Sequence, residues 1–263
     1  MIRVHKNIRN ILFFLILFQA FPALSQGNGV NQRDEEGRRQ GPWQGIFANG
    51  MLRYQGQFVN DIPQGTFRYF YPEGGLRAEL HHDTSKDVVP AVYFHKNNQP
   101  MATGQFKNNQ RTGLWRFFSE SGIKLAETEY TEGQLEGKSI TFFPSGEVAE
   151  IVEYSAGVKQ GAWQQFYEDG KVRLLASYEN NELNGPFKLF YEDGKEQLLA
   201  NYSNNLPHDS WKFFTKEGEL EKEVIYQHGI IVKEMIYIER EEEITIPLVP
   251  DSEASEDIFT SPF

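Results

Sequence analysis

Hydrophobic and aromatic positions recur along this chain every 24 residues. The segments beginning at Gly113, Gly137, Gly161 and Gly185 lie beneath one another without insertion, and the frame extends to eight units starting at Gly41, Gly65, Val89, Gly113, Gly137, Gly161, Gly185 and Asp209. The last unit ends at Val232. One column holds Ile46, Phe70, Phe94, Phe118, Phe142, Phe166, Phe190 and Phe214, and another holds Phe58, His82, Phe106, Tyr130, Tyr154, Tyr178, Tyr202 and Tyr226. A turn column reads Gly50, Gly74, Asn98, Gly122, Gly146, Gly170, Gly194 and Gly218. A fixed period of this size is the mark of a repeat architecture.

Each unit reads as a β-hairpin. In the sixth, Ala162 to Tyr167 is rich in β-formers, Glu168-Asp169-Gly170 is a turn, and Lys171 to Tyr178 is a second extended run before Glu179-Asn180-Asn181 turns again. A three-residue loop needs a left-handed residue at its third position, which Gly or Asn supplies at little cost. This loop sets Tyr167 opposite Lys171 and Phe166 opposite Val172. Simple alternation then places Phe166, Val172, Leu174, Ala176 and Tyr178 on one face, with Trp163 and Gln165 on the other. Short connections predict an antiparallel meander of sixteen strands. At about 4.8 Å per strand the sheet would extend on the order of 75 Å, and it should twist. The expected fold is therefore all-β: eight tandem 24-residue hairpin repeats in an elongated, twisted meander sheet.

The termini differ from the repeats. Residues 1–25 read as an export signal: Arg3, Lys6 and Arg9 precede the apolar run Ile11 to Phe18, and Ala23 and Ser25 offer a cleavage site before Gln26. Residues 26–40 have little to bury and read as a flexible lead-in; the repeat domain is expected over 41–238. Residues 239–263 carry eight acids against the single Arg240, with Pro247, Pro250 and Pro262, and read as an acidic disordered tail. Within it, Ile244-Thr245-Ile246 and Leu248-Val249 have the pattern of an edge strand or cap.

Composition narrows the chemistry. Aromatic residues make up 14% and Gly 23 positions, as strands and turns require, while the absence of Cys removes disulfides, thiolate metal sites and a thiol nucleophile. The formal charge is -11; loss of residues 1–25 removes three cations, leaving 23 against 37 acids, or -14. That balance opposes nucleic acid and anionic lipid as broad-surface partners.

Candidate sites reduce mostly to structure. Gly133-Gln134-Leu135-Glu136-Gly137-Lys138-Ser139 is one residue short of a phosphate-binding loop and leads into the strand-like Ile140-Thr141-Phe142-Phe143 rather than a helix. Glu168-Asp169 and Glu192-Asp193 precede the turn glycines, where Asp serves turn geometry. His81 and His82 are adjacent on an extended run and face opposite sides, which opposes joint metal ligation; partnership with His95 or Asp83 is the remaining arrangement. No catalytic, cofactor or metal residues are assigned. The flat faces of Trp43, Trp115, Trp163 and Trp211, with Gln44, Gln164 and Gln165 beside them, form the candidate binding surface if solvent reaches them. Cross-strand packing is the favoured role for these aromatics.

The units resemble MORN repeats, particularly the variant form common in bacterial proteins, over about residues 41 to 238. Tyr54-Gln55-Gly56-Gln57-Phe58 followed by Gly65 is nearest the family's opening, and Gly104-Gln105-Phe106 with Gly113 retains part of it. Later units place Thr128, Val152, Ala176, Ala200 or Val224 at the glycine position. The third departs most, with Val89, Ala91 and Asn98, so a kink or binding feature is expected there. The resemblance implies stacked hairpins that act as scaffolds or dimerisation surfaces; the family's membrane association is opposed by the acidic charge, and an antitoxin-like role by export. The expected function is an exported, non-catalytic scaffold, periplasmic or extracellular, binding an unidentified protein partner or a second copy. A carbohydrate-binding module using the Trp column is the first alternative, an antitoxin-like protein-binding repeat protein, as the resemblance implies, is another, and an enzyme follows.

Overall fold

The computed structural model describes residues 29–239; the expected export signal at 1–25 and the tail beyond Glu239 lie outside the described residues. Those residues form nineteen β-strands in one open sheet. Sequence neighbours are sheet neighbours throughout, and every pairing is antiparallel. The same meander runs on to the C-terminal strand. At about 4.8 Å per strand it extends roughly 80 Å.

Two kinds of turn build the meander. Within hairpins, the Gly or Asn column takes positive φ at every unit, from 65° at Asn98 to 98° at Gly74. Between hairpins, two-residue turns such as Asn108-Asn109, Asn180-Asn181 and Asn204-Asn205 have positive φ at both positions, the type I′ geometry whose twist matches flanking strands. The third unit breaks this rule. His82 ends one strand and Val89 begins the next, and Asp83 receives hydrogen bonds from both the amide and the hydroxyl of Ser85 in the longer link.

Strand count and one boundary differ from expectation. Residues assigned to a flexible lead-in instead form the short strand Gln32–Arg33 and the start of the strand Arg39–Ile46. A final strand, Ile230–Ile236, follows the eighth unit, and the seventh unit's first strand is divided into Glu182–Leu183 and Gly185–Phe190.

The facial assignment also needs correction. Phe166 does lie opposite Val172, and the amide of Tyr167 donates to the carbonyl of Lys171, as the loop predicts. Arg173 is then an extra residue: Gln165 pairs with Leu174 and Trp163 with Ala176. This bulge inverts the alternation, so Trp163 shares a face with Leu174 and Ala176 while Phe166 is thrown to the other. The same one-residue shift occurs beside the loop in the first, fourth and eighth hairpins. Ile46, in the Phe166 column, is accordingly 62% exposed.

Candidate interaction surface

Once the bulges are counted, two rows of directly paired residues run across the sheet on opposite faces. The inner row alternates large and small side chains: Trp43 opposite Gly56, Trp115 opposite Thr128, Trp163 between Val152 and Ala176, Phe187 opposite Ala200, and Trp211 opposite Val224. A Cβ added to Gly104 would come within 2.2 Å of the Trp115 indole, and one on Gly56 within 2.4 Å of the Phe67 ring. Those glycines let a ring lie flat on the backbone of the preceding strand. Where the ring is missing, its partner changes: Leu80 stands opposite Ala91, and Thr128 Oγ1 lies 3.1 Å from Ser139 Oγ.

This packing removes the tryptophan platform. Trp115 is fully buried, and Trp163 and Trp211 are 3% exposed. Their indole N–H groups are engaged, by the Gln105 carbonyl, the Glu150 carboxylate and the Asn201 carbonyl respectively. Trp43 alone of the four is half-exposed; its N–H donates to the Gln32 carbonyl and the Arg33 guanidinium lies 5.2 Å from its ring centroid. Burial pushes the Tyr93 hydroxyl up to about 12 against the opposing pull of Arg111 and Arg77. Burial likewise raises Tyr178 to about 12, with Glu150 adding to the shift. These phenols stay neutral and serve packing.

The other sequence candidates also sit in structural roles. Thr66 Oγ1 is 3.2 Å from His81 Nδ1, whereas His82 packs edge-on against Phe67 at 5.1 Å. Burial lowers the pKa of His82, and His81 adds to the effect. His95 Nε2 lies 2.9 Å from the Phe118 carbonyl. Asp169 and Asp193 each accept the amide two residues on, at 3.0 Å, and so close their turns. Gly137-Lys138-Ser139 lies within the strand Gln134–Phe142, the context expected for a repeat and not for a phosphate loop.

The outer row carries the exposed chemistry. In its N-terminal half, Arg68 pairs with Glu79 at 2.8 Å and Arg116 with Glu127 at 3.2 Å. From the fifth unit onward the row gains aliphatic and lysine side chains: Ile140 opposite Ile151, Gln164 between Ile151 and Leu175, Leu175 opposite Lys188, and Leu199 between Lys188 and Lys212, which faces Glu223 on its other side. These aliphatic side chains are half-buried rather than enclosed. Beside Ile140 a shallow groove has Leu114 and Ile140 as apolar lining, with Glu127, Glu129 and Lys138 also bordering it. Sequence reading missed this row because, without the bulges, its column has no assignable face. Its recoverable signal is the fourth position of each unit, which reads Gln44, Arg68, Val92 and Arg116 in the first four units and Ile140, Gln164, Lys188 and Lys212 in the last four.

The repeats are recognisable among known proteins. Residues 63–83, 135–156 and 159–180 match the MORN repeat variant family. No curated protein matches the chain. Among solved structures, a crystal structure of TarM is similar at 17% identity and a TM-score of 0.28, over 45% of this chain and 20% of that chain. A mutant of S. aureus TarM in complex with Fondaparinux, alpha-GlcNAc-glycerol and UDP is similar at 16% identity and a TM-score of 0.28, over 44% and 20% of the respective chains. This chain thus spans about one fifth of the length of those structures.

Proposed function

We propose that this MORN-repeat protein is an exported, non-catalytic scaffold that binds a protein partner along the C-terminal half of its outer face. The observation that carries the reading is the row Ile140, Ile151, Leu175 and Leu199 with Lys188 and Lys212, set on a continuous sheet. Aliphatic side chains supply the area removed from water, and the lysines orient an acidic or carbonyl-rich surface. A fixed sheet presents these groups with little ordering entropy to lose on binding. The N-terminal segment supports export to the periplasm or cell exterior.

The test is affinity capture of the chain from residue 26 onward from its native envelope, beside an Ile151→Arg, Leu175→Arg double variant. The expected result is a saturable protein partner retained by the parent and lost by the variant. Recovery of glycan, or of the same partner by both, overturns this surface assignment. Circular dichroism verifies that the variant keeps its strands.

A further inference from the structure

The inner face is closed by side chains along most of the sheet and opens at the fifth unit. In the ring row Phe67, Trp115, Trp163, Phe187 and Trp211 are buried, but Ser139 takes their place between Thr128 and Val152 and is half-buried. The row beside it runs Phe117, Ala126, Thr141, Glu150, Gln165, Leu174, each residue directly opposite the next. Thr141 stands in the column where Tyr93, Phe117, Leu189 and Phe213 are buried, and Glu150 in the column where Ala78, Ala102, Leu174 and Leu198 are buried. One unit thus puts hydroxyls in two columns that elsewhere hold large side chains, and sets a carboxylate in a third that is otherwise core.

The carboxylate is more than packing requires. Its Oε1 accepts the Trp163 indole N–H at 2.7 Å and the Gln165 amide at 2.9 Å. Trp115 and Trp211 are held by backbone carbonyls instead, so the indole does not need a charge. Among the described residues nothing bonds Glu150 Oε2, and no cation pairs with this side chain. Thr141, directly opposite, likewise has no partner for its hydroxyl among the described residues. Ser139 lies two residues along the same strand and on the same face, and its Oγ keeps acceptor capacity beyond its 3.1 Å contact with Thr128 Oγ1. A half-buried carboxylate without a countercharge, beside two hydroxyl acceptors, is complementary to a cationic group with several N–H donors. We propose that this opening binds the primary ammonium group of an alkylamine ligand, with Glu150 as counter-ion and Thr141 and Ser139 as further acceptors. A neutral sugar would leave the half-buried charge uncompensated, and an anion would be repelled by it. The site lies on the face opposite the row of Ile151 and Leu175, so it stands apart from the partner surface proposed there.

Titration of the chain from residue 26 onward, which contains every described residue, with pentylammonium and with Nα-acetyl-lysine methylamide tests this, read by calorimetry and by the indole N–H resonances. The expected result is saturable binding that shifts the Trp163 resonance and leaves that of Trp211 in place, because Trp163 is bonded to Glu150 and Trp211 to a backbone carbonyl. Glu150→Gln, which keeps an acceptor for the indole, should weaken binding by about tenfold or more, and Thr141→Val by about fivefold. Both probes carry the proposed head, and the tighter of the two tells whether it arrives as a free amine or on a peptide. No saturable binding of either probe, equal affinity in the parent and Glu150→Gln, or an equal response to 1-pentanol overturns the proposal. So does glucose shifting the Trp163 resonance where the ammonium probes do not. Should Glu150→Gln lose its strands by circular dichroism, Thr141→Val decides alone, and unchanged affinity there overturns the assignment.

Discussion

The sheet holds two cores that share a pattern and differ in how they seat their rings. In the N-terminal core, from Phe58 to Tyr130, glycines at 56 and 104 let Phe67 and Trp115 lie on backbone. In the C-terminal core, from Val152 to Val224, Val152, Ala176 and Ala200 take those positions. There the Trp163 indole turns to the Glu150 carboxylate, whereas Trp115 and Trp211 donate to backbone carbonyls. The fifth unit separates the cores: Ser139 stands in the ring column, and the strand Gln134–Phe142 buries no side chain fully. A second ladder stops at the same place. Tyr71, Tyr167 and Tyr191 hydroxyls donate to the carbonyls of Phe94, Phe190 and Phe214, and His95 Nε2 lies 2.9 Å from the Phe118 carbonyl, but Ser119 and Phe143 occupy the two positions between His95 and Tyr167. The lesson is that a repeated backbone can continue through a unit whose side-chain core does not.

The sharpest break of this comparison is Trp115→Ala, which should cost about 4 kcal/mol because it empties a fully enclosed ring site. Denaturant unfolding monitored by Trp163 and Trp211 emission should hardly register it, since both lie in the other core; an equal shift in both cores would show that they unfold as one unit. Next in size is Gly104→Val, expected to destabilise the N-terminal core by about 3 kcal/mol through collision with the indole. Val152→Gly, at the matching C-terminal position, removes side-chain packing without such a collision, and its unfolding midpoint should move less.

Smaller effects sharpen the seam and the cap. Phe143→Tyr places a hydroxyl where Tyr167 and Tyr191 carry one; if it reaches the Phe166 carbonyl, thermal unfolding should register a gain of about 1 kcal/mol. The N-terminal cap should respond to acid. Desolvation works to raise the Asp34 carboxyl, but hydrogen bonds from the Gln40 side chain and from Arg38 outweigh it and hold it at about 2. Because the folded value lies below the ordinary one near 4, this contribution is present above that value and disappears as pH falls from about 4 through about 2. A nuclear magnetic resonance titration of the Trp43 indole N–H, bonded to Gln32, should follow that window, and Asp34→Asn should abolish the response.

Much of the architecture is legible in single columns. The Gly or Asn column states its own backbone geometry, because few other residues take positive φ cheaply, and Asn98 behaves there as the glycines do. The pairing of Phe166 with Val172 follows from loop length alone. The faces do not. Whether Trp163 lies with Leu174 or against it depends on one unpaired residue, Arg173, and a bulge has no composition of its own. The expected separation of Trp163 from Leu174 and the overlooked outer row are two results of that same phase change.

By itself, then, the sequence determines a β-hairpin period, its turns and an antiparallel order, since these depend on local dihedral preference and short connections. Tertiary structure decides which side of each strand meets a neighbour, where the core is interrupted at Ser139, and which edge residues 31–33 cover. Those outcomes depend on register summed across many strands, where one inserted residue exchanges buried and exposed faces.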